Sequence, residues 1–474
     1  MSISEQEIQN IVRNVLQNMG KTEEPTIKTT AVQSKKLMGI FENIEDAIAA
    51  AKAAQKEIQP MPLEFREKII ANIRKKTREN AKMFAELGVE ETGMGNVGHK
   101  ILKHQLVAEK TPGTEDLSTI AWSGDRGLTL IEQGPFGVIG AVCPSTNPTE
   151  TVICNSIGML AAGNSVVFAP HPSAKNVSNL AIDMVNRASV EVGGPENLAV
   201  AVENPTMDVS KTIFSHKDIS LLVATGGPGV VTTVLSSGKR AMGAGAGNPP
   251  VLVDETANIP KAAEDIVNGA TFDNNLPCIA EKEVIAVNSI ADELMYYMEQ
   301  AGCYHANDEE VSKLISTVLV EKNGKKILNR DCVGRSAKTL LSKIGITVGD
   351  EIRCIIFKGD KKHPLVEEEL MMPILGIVEV KDVDEGIEVA VELEQGNRHS
   401  AHMHSTNVNN LTKFGKAIDT AIFVKNGPSY SALGFGGEGY ATFTIASRTG
   451  EGLTSAKNFT KSRRCVMCDA LSIR

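Results

Sequence analysis

One alternation, occurring twice, constrains this chain more than any other feature. From Leu128, short β-rich runs (LTLIEQ, GVIGAVCP, NSVVFAP, LAVAV, ISLLVATG) are separated by segments with helical patterning. A second series begins near Pro250 with PVLVDETA and continues through EVIAV, CIIFKG, PILGIVEV and TAIFVKN. Strand–helix alternation of this kind is the signature of a parallel α/β sheet. Two series predict two α/β units, with a boundary near residue 249. A chain of 474 residues is also too long for one simple core.

The flanks read differently. From Ile44 to about Gly93 the pattern is helical, with Ala-rich turns and Glu/Lys pairs, broken by Pro60 and Pro62. From Tyr440 the chain returns to β-type residues (ATFTIA) and then to a Gly/Ser/Lys-rich tail. At the other end, Ile8, Ile11, Val12, Val15, Leu16 and Met19 form one helical stripe. Ser4 and Glu7 supply a capping box and Gly20 a stop. A polar linker, KTEEPTIKTTAVQSKK, follows. A tethered amphipathic helix must bury its stripe, either on its own domain or on a separate partner, and the linker favours a partner. Glu5 and Glu7 against Arg13 alone argue against a membrane surface.

Composition excludes several classes. A net charge of -9 is wrong for nucleic acid, since such a binder needs a basic surface. The basic stretch Lys461, Arg463, Arg464 reads as a solvated face. Eight cysteines in apolar or mixed segments do not form a disulfide framework and fit reduced thiols in a cytosolic compartment. No apolar run approaches the roughly 18 to 20 residues that span a bilayer, and acids stand where a signal peptide carries bases.

Among the cysteines, Cys143, Cys154, Cys303 and Cys354 read as small core residues, and Cys332 is uninformative. Cys465 and Cys468 form a CxxC without the second pair a zinc site needs. Cys278 differs, because it ends FDNNLPC, a polar turn in which Asn274 and Asn275 offer amide donors and Pro277 fixes the backbone. The Gly-rich stretches ATGGPG (224–229) and GAGAGNPP (243–250) allow close backbone approach to a ligand, yet neither is the usual dinucleotide fingerprint. In RHSAHMH (398–404), His402 and His404 share one face of a strand and His399 the other. They read as polar pocket histidines, and no metal site is expected.

Taken in order, these pieces resemble the aldehyde dehydrogenase superfamily, specifically its CoA-acylating branch, from about residue 40 to the end. GPFGVIGAVCPSTNP (134–148) is similar to the strand that leads to the family's active-site Asn, here Asn147. AAGNSVVFAPHP (161–172), with Pro170, is similar to the strand on the adenine side of the cofactor, and Thr225 and Gly226 match the pyrophosphate-side turn. Gly245 falls in the GAGAG run beside it, Phe272 to Cys278 matches the nucleophile segment, and Glu369 matches the acid that holds the nicotinamide ribose.

The departures are informative. Hydrolytic members carry a Glu general base where this chain has about Ala244, and no acid occurs between Arg240 and Val253. Asn275 and Leu276 replace the usual GQ before the nucleophile, and Ala169 replaces a Lys that grips the adenosine ribose.

The resemblance implies an α/β fold with three parts. These are a Rossmann-like cofactor domain for NAD and coenzyme A (40–248), a catalytic domain (249–439), and a β oligomerisation extension built from about 120–133 and the C-terminal segment 440–474. Residues 1–20 are then a helix and 21–39 a linker. It implies a homodimer or homotetramer. It also implies that Cys278 adds to an aldehyde, that Asn147 and the Cys278 N–H hold the oxyanion, and that hydride leaves to NAD. Without a carboxylate to activate water, hydrolysis of the thioester is slow and coenzyme A accepts the acyl group. The N-terminal helix resembles encapsulation peptides. It implies a bacterial microcompartment in the cytoplasm, shell protein as the partner of residues 1–19, and acetaldehyde or propionaldehyde as substrate. A hydrolytic enzyme lacks its base here. A semialdehyde dehydrogenase acting on acyl phosphates would not need the tethered helix. A silent scaffold would not retain Asn147, Cys278 and Glu369 together.

Overall fold

Apart from Ser165, strands Val138–Val142 and Ser165–Ala169 carry no polar side chain, and each alternates between two cores. Val166 and Phe168 pack with Ile153, Ile157 and Ile182 of helices Pro148–Ala161 and Lys175–Glu191. Val167 and Ala169 pack on the opposite side with Ala47, Ile48 and Val231. A strand covered by helices on both faces has no polar side, which is why these runs read as continuous hydrophobics.

The computed structural model describes residues 36–322 and 324–473. The expected helix of residues 1–20 and most of the linker lie outside the described residues. From Leu37 onward the chain forms one compact unit, organised by two sheets. The first has six strands in the order Ile40–Phe41, Ala199–Val202, Ser165–Ala169, Val138–Val142, Ile219–Thr225, Ala241–Ala244, every neighbouring pair parallel. The second has seven, in the order Cys303–His305, Cys354–Gly359, Ile374–Val380, Glu283–Val287, Pro250–Val253, Ser400–His404, Ile422–Lys425, again all parallel. The chain leaves the first sheet after Ala244 and enters the second at Pro250. In the first sheet the strand order reverses on either side of Val138–Val142, and ligand crevices in open α/β sheets form at the carboxyl ends beside such a reversal.

The helical stretch after residue 44 divides into Ile44–Ile58 and Leu63–Thr92, with Pro62 at the cap of the second. Gly93 ends it at φ 67, a left-handed stop that glycine adopts without a side-chain clash.

The C-terminal segment corrects one expectation. ATFTIA yields only the two-residue strand Ile445–Ala446, paired with Gly452–Leu453. The long terminal strand is instead Thr460–Cys468, in the stretch that reads as a polar tail. It pairs antiparallel with Gly127–Pro135, which also pairs with Ile120–Gly124. Its side chains from Lys461 to Cys468 are exposed, so no apolar alternation marks it in the sequence. Cys465 and Cys468 are both exposed on this strand rather than at a helix start.

Candidate active site

Helix Ile259–Thr271 ends in a tight turn, and Asp273, Asn274 and Asn275 then stand at φ 51, 54 and 66. Three consecutive left-handed residues without glycine are costly, and Asp and Asn tolerate that region best. Hydrogen bonds hold them there. Asn274 Nδ2 donates to the Gly334 carbonyl at 2.9 Å, and Asn275 Nδ2 donates to the carbonyls of Ala270 and Glu281 at 2.8 and 2.9 Å. The Asn275 amide is therefore spent on the main chain and is no donor to a substrate, contrary to the sequence expectation, while Asn274 gives one of its two amide hydrogens to it. Their work is to hold the turn that presents Cys278, which is half-buried. Cys278 packs against an apolar cluster that includes Leu106, Ile279, Leu433 and Phe435. Burial, and after it the Glu369 carboxylate, push its thiol up to about 12, with Lys282 and Lys103 pulling the other way.

Asn147 sits at the start of helix Pro148–Ala161, with its carbonyl accepting from the Thr151 N–H at 3.1 Å and hydroxyl at 2.6 Å. Its side-chain Oδ1 accepts from the Lys103 ammonium, and Nδ2 donates to Thr146 Oγ1 at 3.3 Å. Lys103 belongs to helix Val97–Lys110, which turns Lys100, Lys103 and His104 inward at i, i+3, i+4 spacing. The two ammonium groups meet two buried carboxylates. Lys103 lies 2.6 Å from Asp273 and 3.0 Å from Glu150, while Lys100 lies 3.1 Å from Asp273 and donates to the Thr146 carbonyl at 3.1 Å. Asp273 also accepts from the Asn96 N–H at 2.8 Å. This cluster joins the turn before Cys278 to the Asn147 loop.

Glu369 accepts from the Gly247 N–H, and burial pushes its carboxyl up to about 7 against the pull of Lys282. Lys282 donates to the Asn275 carbonyl at 3.0 Å and to its Oδ1 at 2.5 Å. Gly247 fits where little else does, since a Cβ there would stand 2.9 Å from the His399 ring and 3.1 Å from the Cys278 carbonyl. Burial pulls both His399 and His402 down to about 4, so both are neutral at pH 7. His402 Nε2 bonds the Ile279 carbonyl at 3.0 Å, and His399 Nδ1 pairs with Ser400 Oγ at 2.7 Å. No cluster of three metal-ligating side chains occurs among the described residues.

Four of the expected cofactor residues lie at the carboxyl ends of three strands of the first sheet, while Glu369 precedes strand Ile374–Val380 of the second. Pro170 follows Ser165–Ala169, Thr225 ends its strand with Gly226 next, and Gly245 follows Ala241–Ala244. Thr225 Oγ1 pairs with Thr444 Oγ1 at 2.8 Å, and the Gly226 N–H donates to the Ala244 carbonyl at 3.1 Å. Gly227 then caps helix Pro228–Leu235 with no side-chain capping bond, and a Cβ at Gly227 or Gly229 would meet no atom within 4 Å. An open, glycine-walled helix start of this kind fits a pyrophosphate. Residues 21–462 match the model of the aldehyde dehydrogenase family.

This chain belongs to the aldehyde dehydrogenase family.

Among its relatives, the acetylating acetaldehyde dehydrogenase of Bilophila wadsworthia is 47% identical, aligned over 100% of both chains. A propionaldehyde dehydrogenase from a Clostridium phytofermentans fucose-utilisation bacterial microcompartment superposes with a TM-score of 0.91 at 66% identity, covering 92% of this chain and 100% of that one. The Rhodopseudomonas palustris propionaldehyde dehydrogenase, solved with bound CoA and an acylated cysteine, superposes with a TM-score of 0.90 at 54% identity over 92% of this chain and 99% of its own.

Within this aldehyde dehydrogenase, reading the sequence alone misses Lys100, Lys103, Glu150, Asp273 and Lys282. One signal was present: KILKHQL places two lysines and a histidine on one face of a helix, where a core-facing stripe is usually apolar.

Proposed function

We propose that this aldehyde dehydrogenase converts acetaldehyde or propionaldehyde, with NAD and coenzyme A, into acyl-CoA and NADH through a thioester on Cys278. One observation carries the reading. Cys278 packs against an apolar cluster within electrostatic reach of Lys103, whose ammonium bonds the Asn147 side chain, its neighbouring acid Glu369 is tied to the Gly247 N–H, and alanine stands at position 244.

The chemistry follows from these groups. The Cys278 sulfur adds to the aldehyde carbon, and the Asn147 amide and the Cys278 N–H stabilise the resulting oxyanion. Leu106, Ile279 and Phe435 offer a short alkyl chain an apolar wall. NAD, when bound, would accept the hydride that the aldehyde carbon loses as the thioester forms; Thr225, Gly226 and Gly245 would hold its phosphate side, Pro170 its adenine side and Glu369 the nicotinamide ribose. Coenzyme A, its S–H proton released to solvent, then attacks the thioester carbon as the thiolate, and Cys278 leaves as the thiolate. A sulfur nucleophile needs no general base of the kind water requires, which suits a site with Ala244.

The same reading extends to assembly. Residues 1–19 dock on a shell protein of a bacterial microcompartment, and the enzyme works inside it. The chain pairs into a homodimer or homotetramer through the extension. Exposed Trp122, Val466 and Met467 on the three-stranded sheet support that pairing, since apolar groups in solvent favour burial between subunits. No helix among the described residues is long and apolar enough to cross a membrane.

The test follows NADH formation from propionaldehyde with and without coenzyme A, beside Cys278→Ser. Strong dependence on coenzyme A, a thioester product and an inactive variant are expected. Equal rates without coenzyme A, with release of propionate, would overturn the acyl-transfer step.

A further inference from the structure

We propose that Lys103 is a positioning residue for the oxyanion, a buried ammonium that fixes the Asn147 amide with its N–H turned to the reacting carbonyl. This rests on the reading of Asn147 as the oxyanion donor.

The geometry is specific. A side-chain amide has two orientations of nearly equal shape, and what it meets chooses between them. An ammonium only donates, so Lys103 faces Oδ1, and Nδ2 is forced to the other side. Of the two Nδ2 hydrogens, one serves the 3.3 Å bond to Thr146 and the other is left for a substrate oxygen.

Lys103 is 1% exposed, and burying an ammonium is expensive unless its partners compensate. Asp273 and Glu150 do so. Burial alone would lower its pKa, yet the two carboxylates raise it, and the group stays charged. Two buried carboxylates call for two cations, and Lys100, 3.1 Å from Asp273, is the other one. What Lys103 adds is the contact with Asn147. Its charge also acts on the Cys278 sulfur, which places it within electrostatic reach of the reacting atoms. The expected contribution is confined to the steps that form or collapse the oxyanion, namely aldehyde addition and attack by coenzyme A.

A double-mutant cycle on the full-length enzyme tests this. Lys103→Met alone would leave Glu150 without its nearest partner. The paired variant Lys103→Met/Glu150→Gln instead keeps Lys100 opposite Asp273. We expect it to lose about 10² to 10³ in kcat, the scale of one oxyanion donor, with KM for NAD unchanged. Asn147→Ala should lose a similar factor, and the triple variant no more than the larger of the two losses. Multiplying losses in the triple variant, or a paired variant within about threefold of wild type, would overturn the role of Lys103 while leaving Asn147 in place. Full activity in Asn147→Ala would overturn the oxyanion reading and this one with it. If thermal melting shows the paired variant unfolded, Lys103→Arg replaces it. The charge is kept but the contact with Oδ1 is displaced by the wider guanidinium, and the same non-multiplying pattern is expected, with a multiplying one overturning the proposal.

Discussion

Replacing Glu369 by Gln removes the negative charge that acts on the Cys278 thiol and keeps the shape of the side chain. With the thiol pushed up to about 12, about one part in 10⁴ is ionised at pH 8, against about one in ten for a thiol near 9. A like charge at close range typically accounts for about one unit or more of such a rise. Glu369→Gln is therefore expected to raise the thiolate fraction about tenfold. A less basic thiolate is also less nucleophilic, by about threefold for each unit lost. The net gain in alkylation rate is then about threefold. The assay is the second-order rate of iodoacetamide modification of Cys278, read by peptide mass spectrometry because Cys465 and Cys468 are exposed and also react. The gain should vanish at acidic pH, since Glu369 itself titrates near 7 and is neutral below that. Slower alkylation in the variant at pH 8 would refute the argument and make the carboxylate the acceptor of the thiol proton. An unchanged rate at every pH would mean that the charge does not reach the sulfur.

Two further perturbations test the packing around the site. Gly247→Ala puts a methyl group 2.9 Å from the His399 ring and 3.1 Å from the Cys278 carbonyl, both in buried surroundings. It should cost about 1 to 3 kcal/mol in thermal or urea unfolding and reduce kcat by more than about tenfold, since a small displacement of a nucleophile is felt in rate; unchanged kinetics would show that the turn can shift freely. Glu281 is pushed up to about 8 by burial, from an ordinary 4.5. The unfolded chain gives up this proton near its ordinary value while the folded chain keeps it, so stability falls as pH rises across that interval. Glu281→Gln, whose side-chain oxygen can still accept from the Ser429 N–H, should be more stable than wild type at pH 8 by up to about 4 kcal/mol. The difference should close below pH 4.5, where both states are protonated. Urea unfolding across pH checks this, and equal stability at pH 8 would mean that the folded carboxylate ionises normally.

The charge cluster ties two functions together. Asp273 stabilises a left-handed turn through the Asn96 N–H and also meets both lysines, so the turn that presents the sulfur and the loop that carries Asn147 share one anchor. Relative placement of Cys278 and Asn147 then depends on a few buried ionic contacts. Positioning of this kind is where a displacement of about 1 Å is costly in rate.

Residue order alone shows the two parallel sheets, because a strand covered on both faces is apolar over most of its length, as VVFA (166–169) and VIAV (284–287) are. It also singles out Cys278, since a Pro-terminated polar turn before a lone cysteine is a local pattern, and family motifs are local too. The strand Thr460–Cys468 left no such mark, because its side chains face solvent in the chain and its order comes from backbone pairing with Gly127–Pro135. Asn274 and Asn275 look like ligand donors until the structure shows which carbonyls they meet. Lys103 and Asp273 are separated by 170 positions, yet their charged groups meet at 2.6 Å. Periodicity records whether a position is buried, and only the folded chain decides which distant charges are brought into contact.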